Sequence, residues 1–250
     1  MSDAFRIEDM AVTHVGLVRS ANEDCHVSLP RAGVWVVADG MGGHFNGRFA
    51  SQTIADAVGT MVIPDDVEGA CDSVARAIHE ANAVIFARSV EEGKQMGSTV
   101  VALVIRGAEF IVLWAGDSRA YLYRQGQLIQ LTRDHTQVEA MMERGLLTPE
   151  EAADHPMKHV LARAVGVQET LEIDGVRDRI ESRDIFVLCS DGLSGVVSDS
   201  EIAAMLADHG HAAGDLLVAA CLERGAPDNV TVTLVAANEP TLLVLNGATQ

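Results

Sequence analysis

Between residues 98 and 132 four β-rich runs follow one another with only turn-sized breaks: 98–105, 109–115, 120–124 and 128–131. The breaks are Arg106-Gly107, Gly116-Asp117-Ser118-Arg119 and Gln125-Gly126, so the stretch reads as an antiparallel meander with tight turns. Before it, residues 48–63 and 66–90 have helical spacing, with Val74, Ala77, Ile78, Ala81 and Ile85 on one face of the second. After it, residues 136–155 return to helix. There Thr148-Pro149-Glu150-Glu151 supplies a cap residue, a first-turn proline and a reciprocal glutamate. Strands are expected near 170–177, 184–190 and 229–236, and helices near 199–208 and 211–224, the last stopped by Gly225. The short apolar run 34–38, ending at Asp39-Gly40, suits a buried strand. Strands and helices therefore come in blocks. That disfavours a doubly wound parallel sheet and predicts an α+β fold of antiparallel sheets with helices packed outside. Roughly ten strands are enough for two stacked sheets.

The 250 residues contain no linker, repeat or low-complexity tract, and predict one domain over 1–250. At 48% apolar residues the chain can bury enough surface to offset its ordering entropy. Its formal net charge is −18. A nucleic-acid binder needs a basic face, and an anionic membrane surface attracts one, so both are excluded as expected partners. The opening MSDAFRIEDM has neither a basic segment nor an apolar one, so no signal peptide is expected. The apolar run 242–245 is far too short to span a bilayer. Cys25, Cys71, Cys189 and Cys221 include no CxxC pair and read as reduced core thiols of a cytoplasmic protein.

Carboxylates recur where apolar strands end. Asp39 and Asp191 each precede a glycine, Asp117 lies in a turn, Asp228 precedes a strand, and Glu23 and Asp24 precede another. Strand-end carboxylates from distant segments can converge on one rim of a sheet, where they repel unless a cation sits between them. An oxygen-only set points to Mg²⁺ or Mn²⁺ rather than zinc. Any one of these positions is also ordinary turn chemistry. Taken together they shift the balance toward a metal site, but residue pattern alone leaves both readings open.

Other motifs do not carry a function. Gly40, Gly42, Gly43 and Gly47 form no GxGxxG or phosphate-loop pattern, and Ser194 sits in no GxSxG elbow. His155 and His159 flank Pro156 and read as a solvent-exposed helix start. The nine methionines read as core fillers.

The order of the pieces is more specific than any one of them. Arg19, Asn22, Glu23 and Asp24 come first, then Ala38-Asp39-Gly40-Met41-Gly42-Gly43-His44, then Gly97-Ser98-Thr99. Gly116-Asp117-Ser118-Arg119, Ser190-Asp191-Gly192 and Asp228-Asn229 follow. This succession, from about residue 10 to 236, resembles the PPM-type (type-2C) metal-dependent protein serine/threonine phosphatases in their compact bacterial form.

The resemblance implies a four-layer α-β-β-α sandwich, two stacked antiparallel sheets with helix pairs outside, and a site at one end. Asp39 would bridge two Mn²⁺ or Mg²⁺ ions, with Asp191 and Asp228 completing one. The carbonyl of Gly40 and a water-mediated contact from Glu23 would hold the other. Arg19 would take the substrate phosphate, suited by its planar fork. Asp117, with Asp191, would bind a weaker third ion, and residues 137–165 would form a mobile flap. The implied reaction is hydrolysis of phosphoserine and phosphothreonine in proteins by a hydroxide activated between the two metals, without a phosphoenzyme. It would oppose a bacterial serine/threonine kinase acting on the same proteins. Nothing demands more than a monomer. Two other readings remain: a phosphoprotein-binding pseudophosphatase, and a phosphatase of small phosphorylated metabolites. The chain departs from family patterns in two places. Met41 stands where many eukaryotic members carry a histidine proposed as general acid, a role not transferred to His44. His14 stands where many bacterial members have a small polar or acidic residue, either as a packing change or at the substrate entrance.

Overall fold

A computed structural model describes residues 5–43 and 45–239, leaving His44 and the run 242–245 outside the described residues. Its strands are β1 Arg6–His14, β2 Asp24–Leu29, β3 Val34–Met41, β4 Gly97–Ser98, β5 Val100–Arg106 and β6 Glu109–Ala115. They continue with β7 Arg119–Arg124, β8 Gln127–Gln130, β9 Asp174–Arg179, β10 Asp184–Cys189 and β11 Val230–Asn238. The helices are α1 Phe45–Thr60, α2 Val67–Glu92, α3 Gln137–Glu143, α4 Pro149–Ala153, α5 Asp191–Ser194, α6 Asp199–His209 and α7 Gly214–Glu223.

β3 is apolar at consecutive positions because both of its faces are covered. Val34, Val36 and Ala38 pack with Ile54 and Val58 of α1 and Val74, Ile78 and Ile85 of α2. Trp35 and Val37 point the other way, into a core shared with Phe186, Leu188 and Val235. The same two-residue alternation sorts β10. Ile185, Val187 and Cys189 pack under α6 and α7, and Phe186 and Leu188 turn inward. Three apolar cores thus separate four layers: helices, sheet, sheet, helices. The expected architecture is present.

One sheet runs β1-β11-β10-β7-β8; the other runs β2-β3-β5-β6-β9, with β4 added to β3. Every pairing is antiparallel. Phe110 of β6 meets Phe186 of β10 edge to face across the inner core, ring centroids 4.8 Å apart.

The sequence expectation of one continuous meander over 98–132 is wrong. β5 pairs with β6 in one sheet and β7 with β8 in the other, while β6 and β7 do not pair. The break at 116–118 is a crossing between sheets. Gly116 takes φ +115°, and a Cβ there would lie 2.6 Å from Thr99 Cβ. Tight-turn composition does not distinguish a hairpin from such a crossing.

The stretch 136–155 is two short helices rather than one. Gly145, at φ +68°, closes the first, and the Thr148/Glu151 capping box opens the second. His155 and His159 follow α4 and start no helix. Cys189 and Cys221 are buried, whereas Cys25 and Cys71 are only half-buried. The N-terminal strand β1 had no counterpart in the sequence reading. Its charged residues Glu8 and Asp9 blur the alternation, and its place is fixed by pairing with β11, more than 200 residues away. Among the described residues no helix is long and apolar enough to cross a membrane.

Candidate active site

The alternation that buries Trp35 and Val37 puts Asp39 on the same inner face, at the end of the sandwich. Asp39 does not end its strand, contrary to the sequence reading. β3 continues to Met41 because Gly40 and Met41 pair with Ser98 and Gly97 of β4. β4 also clamps the Asp39 backbone. Asp39 N donates to Thr99 Oγ1 at 3.0 Å. Its carbonyl accepts from Thr99 N at 2.8 Å and Ser98 Oγ at 2.9 Å. Thr99 Oγ1 also shares a 2.6 Å hydrogen bond with Ser118 Oγ, next to Asp117. One buried hydroxyl therefore ties Asp39 to the sheet crossing.

The opposite sheet delivers the other carboxylates. Asp191 opens α5 directly after β10, and Asp228 precedes β11. Asn229 anchors the loop that carries Arg19. Its Oδ1 accepts from Glu23 N at 2.8 Å, and its Nδ2 donates to Val15 O at 2.8 Å and Ala21 O at 3.0 Å. Asp24 sits opposite Asp39 in the β2–β3 register. Its Oδ2 accepts from Ser190 Oγ at 2.8 Å, and Ser190 Oγ accepts from Thr231 N at 3.0 Å.

Glu23, Gly40 and Gly47 form a tight corner. Gly40 N donates to Glu23 O at 3.2 Å. A Cβ on Gly47 would collide with Glu23 Oε2 and come within 2.8 Å of the Gly40 carbonyl oxygen. Only glycine lets α1 approach this close.

All seven residues singled out from sequence line one cleft of about 1350 Å³: Arg19, Glu23, Asp39, Gly40, Asp117, Asp191 and Asp228. Lys158 and His159 border it from the segment after α4. Arg19 forks onto Asp228, with Nε to Oδ1 at 2.9 Å and Nη2 to Oδ2 at 2.7 Å. His14 accepts from Gly16 N at 2.9 Å through Nδ1, a local contact.

The carboxylates perturb one another strongly. Burial, then the charges of Asp24, Asp191, Asp117 and Asp228, push Asp39 well above the usual carboxylate range. Burial and the charge of Asp228 raise Asp191. Asp117 rises to about 7, through burial and then Asp191 and Asp134. Asp24 rises to about 6, chiefly through burial.

Among the described residues no three His, Cys, Asp or Glu side chains close into a ready-made cation cage. The chemistry of the donor set nonetheless fits hard divalent cations. The donors are oxygens, their mutual repulsion calls for added positive charge, and Asp24 Oδ1 is buried without a hydrogen-bond partner. Sequence reasoning counted Asp24 among the strand-end carboxylates without placing it in the ligand set, and it gave no role to Thr99, Ser190 or Asn229. Each of these three was visible only as a member of a quoted motif, because burial and cross-chain hydrogen bonds define what it does.

Residues 8–141 match the family described as Protein phosphatase 2C. The serine/threonine protein phosphatase PstP of Mycobacterium tuberculosis is 38% identical over 232 residues, 88% of this chain, and the chain spans 43% of that relative's length. PppA, described as a key regulatory component of T6SS in Pseudomonas aeruginosa, superposes with a TM-score of 0.85 at 37% identity, covering 92% of this chain and 97% of that one. The catalytic domain of PstP in complex with 2 manganese ions superposes with a TM-score of 0.82 at 33% identity, covering 93% and 99%. With the motif order, the four layers and the carboxylate cleft in agreement, the chain belongs to the protein phosphatase 2C family of metal-dependent serine/threonine protein phosphatases.

Proposed function

We propose that this chain removes phosphate from phosphoserine and phosphothreonine of proteins, in opposition to a serine/threonine kinase, and acts in the cytoplasm as a monomer. The observation that carries the reading is convergence. Asp39 from one sheet meets Asp191 and Asp228 from the other at one rim, and Asp191 and Asp228 both raise the Asp39 carboxyl.

In this reading Asp39, Asp191 and Asp228 hold two divalent cations together with the Gly40 carbonyl, and Glu23 acts through water. Asp117 and Asp191 hold a third, weaker ion. Bound cations supply positive charge for the phosphate and lower the pKa of water toward neutrality. Arg19 receives the phosphate. Its fork onto Asp228 shows the two-pronged geometry a phosphate would use. Thr99 and Ser98 hold the Asp39 backbone so that its carboxylate needs no reorganisation on binding. Residues 137–165 form a mobile flap over the cleft, and 1–250 is one catalytic domain.

The test is release of phosphate from a phosphothreonine peptide with added Mn²⁺, with added Mg²⁺ and with EDTA, beside Asp39→Asn. Metal-dependent release, lost in the variant while the fold is retained, supports the reading. Binding of the phosphopeptide without release would turn it to a phosphoprotein-binding module. Release confined to phosphometabolites would turn it to a small-molecule phosphatase.

A further inference from the structure

His135 is a largely buried histidine that the reaction described above does not use; its side chain is 11% exposed. It lies between the sheet crossing and the segment that follows α4. Its ring stacks on Trp114, centroids 6.1 Å apart and planes within 18°. Its backbone N–H donates to Gly116 O at 2.9 Å. In return Gly116 N donates to His135 Nδ1 at 3.1 Å. One residue thus grips both polar groups of Gly116.

Those bonds determine the tautomer. A backbone N–H can only donate, so Nδ1 is the acceptor and the proton of the neutral ring is on Nε2. Nε2 lies 3.2 Å from Asp174 Oδ2, to which it donates, and 3.3 Å from Arg163 Nη1, whose hydrogen is taken by Asp174 instead. Asp174 Oδ1 in turn accepts from Arg163 Nη1 at 2.6 Å. Burial, followed by the Arg163 charge, outweighs Asp174 and favours the neutral ring.

Gly116 immediately precedes Asp117. At φ +115° and pressed against Thr99, it has no side chain to fix its peptide plane, so the hold comes from outside. Ser118, on the far side of Asp117, is held by Thr99. Asp117 therefore stands between two anchors, one of which is an imidazole.

We propose that His135 is a positioning residue for Asp117: through its Nδ1 bond to Gly116 it aims the Asp117 carboxylate into the cleft, and Asp174 keeps the ring in the required tautomer. This role rests on the reading of Asp117 as a cation ligand. Small displacements of a ligand are costly in turnover, so loss of the anchor is felt as chemistry rather than as substrate binding.

Two substitutions separate this role from mere packing. In His135→Asn the amide oxygen takes the place of Nδ1 and still accepts from Gly116, while the Asp174 contact is lost. In His135→Gln the amide reaches Asp174 and leaves Gly116 N–H without its acceptor. The expected result is that His135→Gln lowers kcat about tenfold or more with KM little changed, and that His135→Asn rescues most of the loss. Calorimetric titration with Mn²⁺ alone should show His135→Gln weakening the same binding step that Asp117→Ala removes, with the tighter steps intact. Amide exchange at Gly116 should quicken in His135→Gln and not in His135→Asn. Equal losses in the two variants, in parallel with their melting temperatures, would overturn the proposal. An Asp117→Ala protein with unchanged turnover and Mn²⁺ titration would instead overturn the reading of Asp117 as a ligand. Gly116 exchange would then still report whether His135 holds the turn.

Discussion

Arg19 and Asp228, 209 residues apart, meet in a two-pronged ion pair with contacts of 2.9 and 2.7 Å. Both side chains are partly exposed, so the pair adds little to stability. Its importance is geometric, because it directs a guanidinium fork toward the carboxylate rim. Arg19→Ala should raise KM and lower kcat/KM by about 10- to 100-fold, the range expected for one or two charge-assisted hydrogen bonds. Arg19→Lys should recover only part, since an ammonium cannot fork. Steady-state kinetics on a phosphothreonine peptide checks this. An unchanged KM in Arg19→Ala would remove Arg19 from phosphate binding.

Metal-free protein should lose stability as pH rises. Asp24 and Asp117 have folded-state pKa values of about 6 and about 7, above the ordinary carboxylate value of 3.8. Between the lower and higher values the folded state holds more protons than the unfolded state, so unfolding free energy falls with pH. The decline should run from about pH 4 to about pH 7. Saturating Mn²⁺ should flatten it, because the cation replaces the protons as the balancing charge, and Asp117→Asn should make it shallower without metal, leaving the share of Asp24. Melting temperatures in EDTA and in Mn²⁺ across this range decide the matter. A curve that rises through the window in EDTA would contradict it.

Gly47→Ala should damage metal handling far more than its size suggests. The new methyl would strike Glu23 Oε2 and the Gly40 carbonyl, the two groups assigned to one cation. Mn²⁺ affinity should fall about tenfold or more, for a cost of over 1.4 kcal/mol. Gly59, elsewhere on the same helix, has open space around its missing Cβ. Gly59→Ala should stabilise the protein by about 0.5–1 kcal/mol and leave Mn²⁺ affinity alone. Calorimetry on both variants makes the comparison.

Thr99→Val keeps the shape of the side chain and deletes the hydroxyl that serves Asp39 N and Ser118 Oγ. Both partners are then left buried and unmatched. Stability should fall by about 2 kcal/mol, and turnover should fall with it as Asp39 and Asp117 lose their common tie. Thr99→Ser should restore both. Denaturant unfolding and kcat for the two variants test the assignment; a Thr99→Val protein with native turnover would show that the tie is dispensable.

Layers and ligands were legible in the sequence to different degrees. β3 and β10 showed themselves as apolar runs because burial on both faces removes polar residues. Helix boundaries followed from capping at Thr148 and from glycines such as Gly225, whose signals are local. The destination of β7 was not legible. The turn Gly116-Asp117-Ser118 has hairpin composition, and only packing against Thr99 and His135 turns it into a crossing between sheets. The ordered motifs marked the proposed acidic ligands, Asp39, Asp117 and Asp191 most plainly, since a carboxylate beside a glycine survives as a short string. Asp24, Ser190 and Asn229 could not be ranked that way. Their roles depend on hydrogen bonds to residues 166 to 214 positions away, which no local pattern encodes.

The crossing at Gly116 and the placement of Asp39 on one sheet with Asp191 and Asp228 on the other give the seam between the sheets a further meaning. Neither half of the sandwich carries the complete set of proposed ligands. A cation captured at this rim is bound by the docked state alone, so its binding free energy acts as a rivet across the seam. In the proposed reading, dephosphorylating competence is therefore a readout of registration: slide one sheet along the other by a single residue, and Asp39 is carried roughly 3.3 Å from its counterparts.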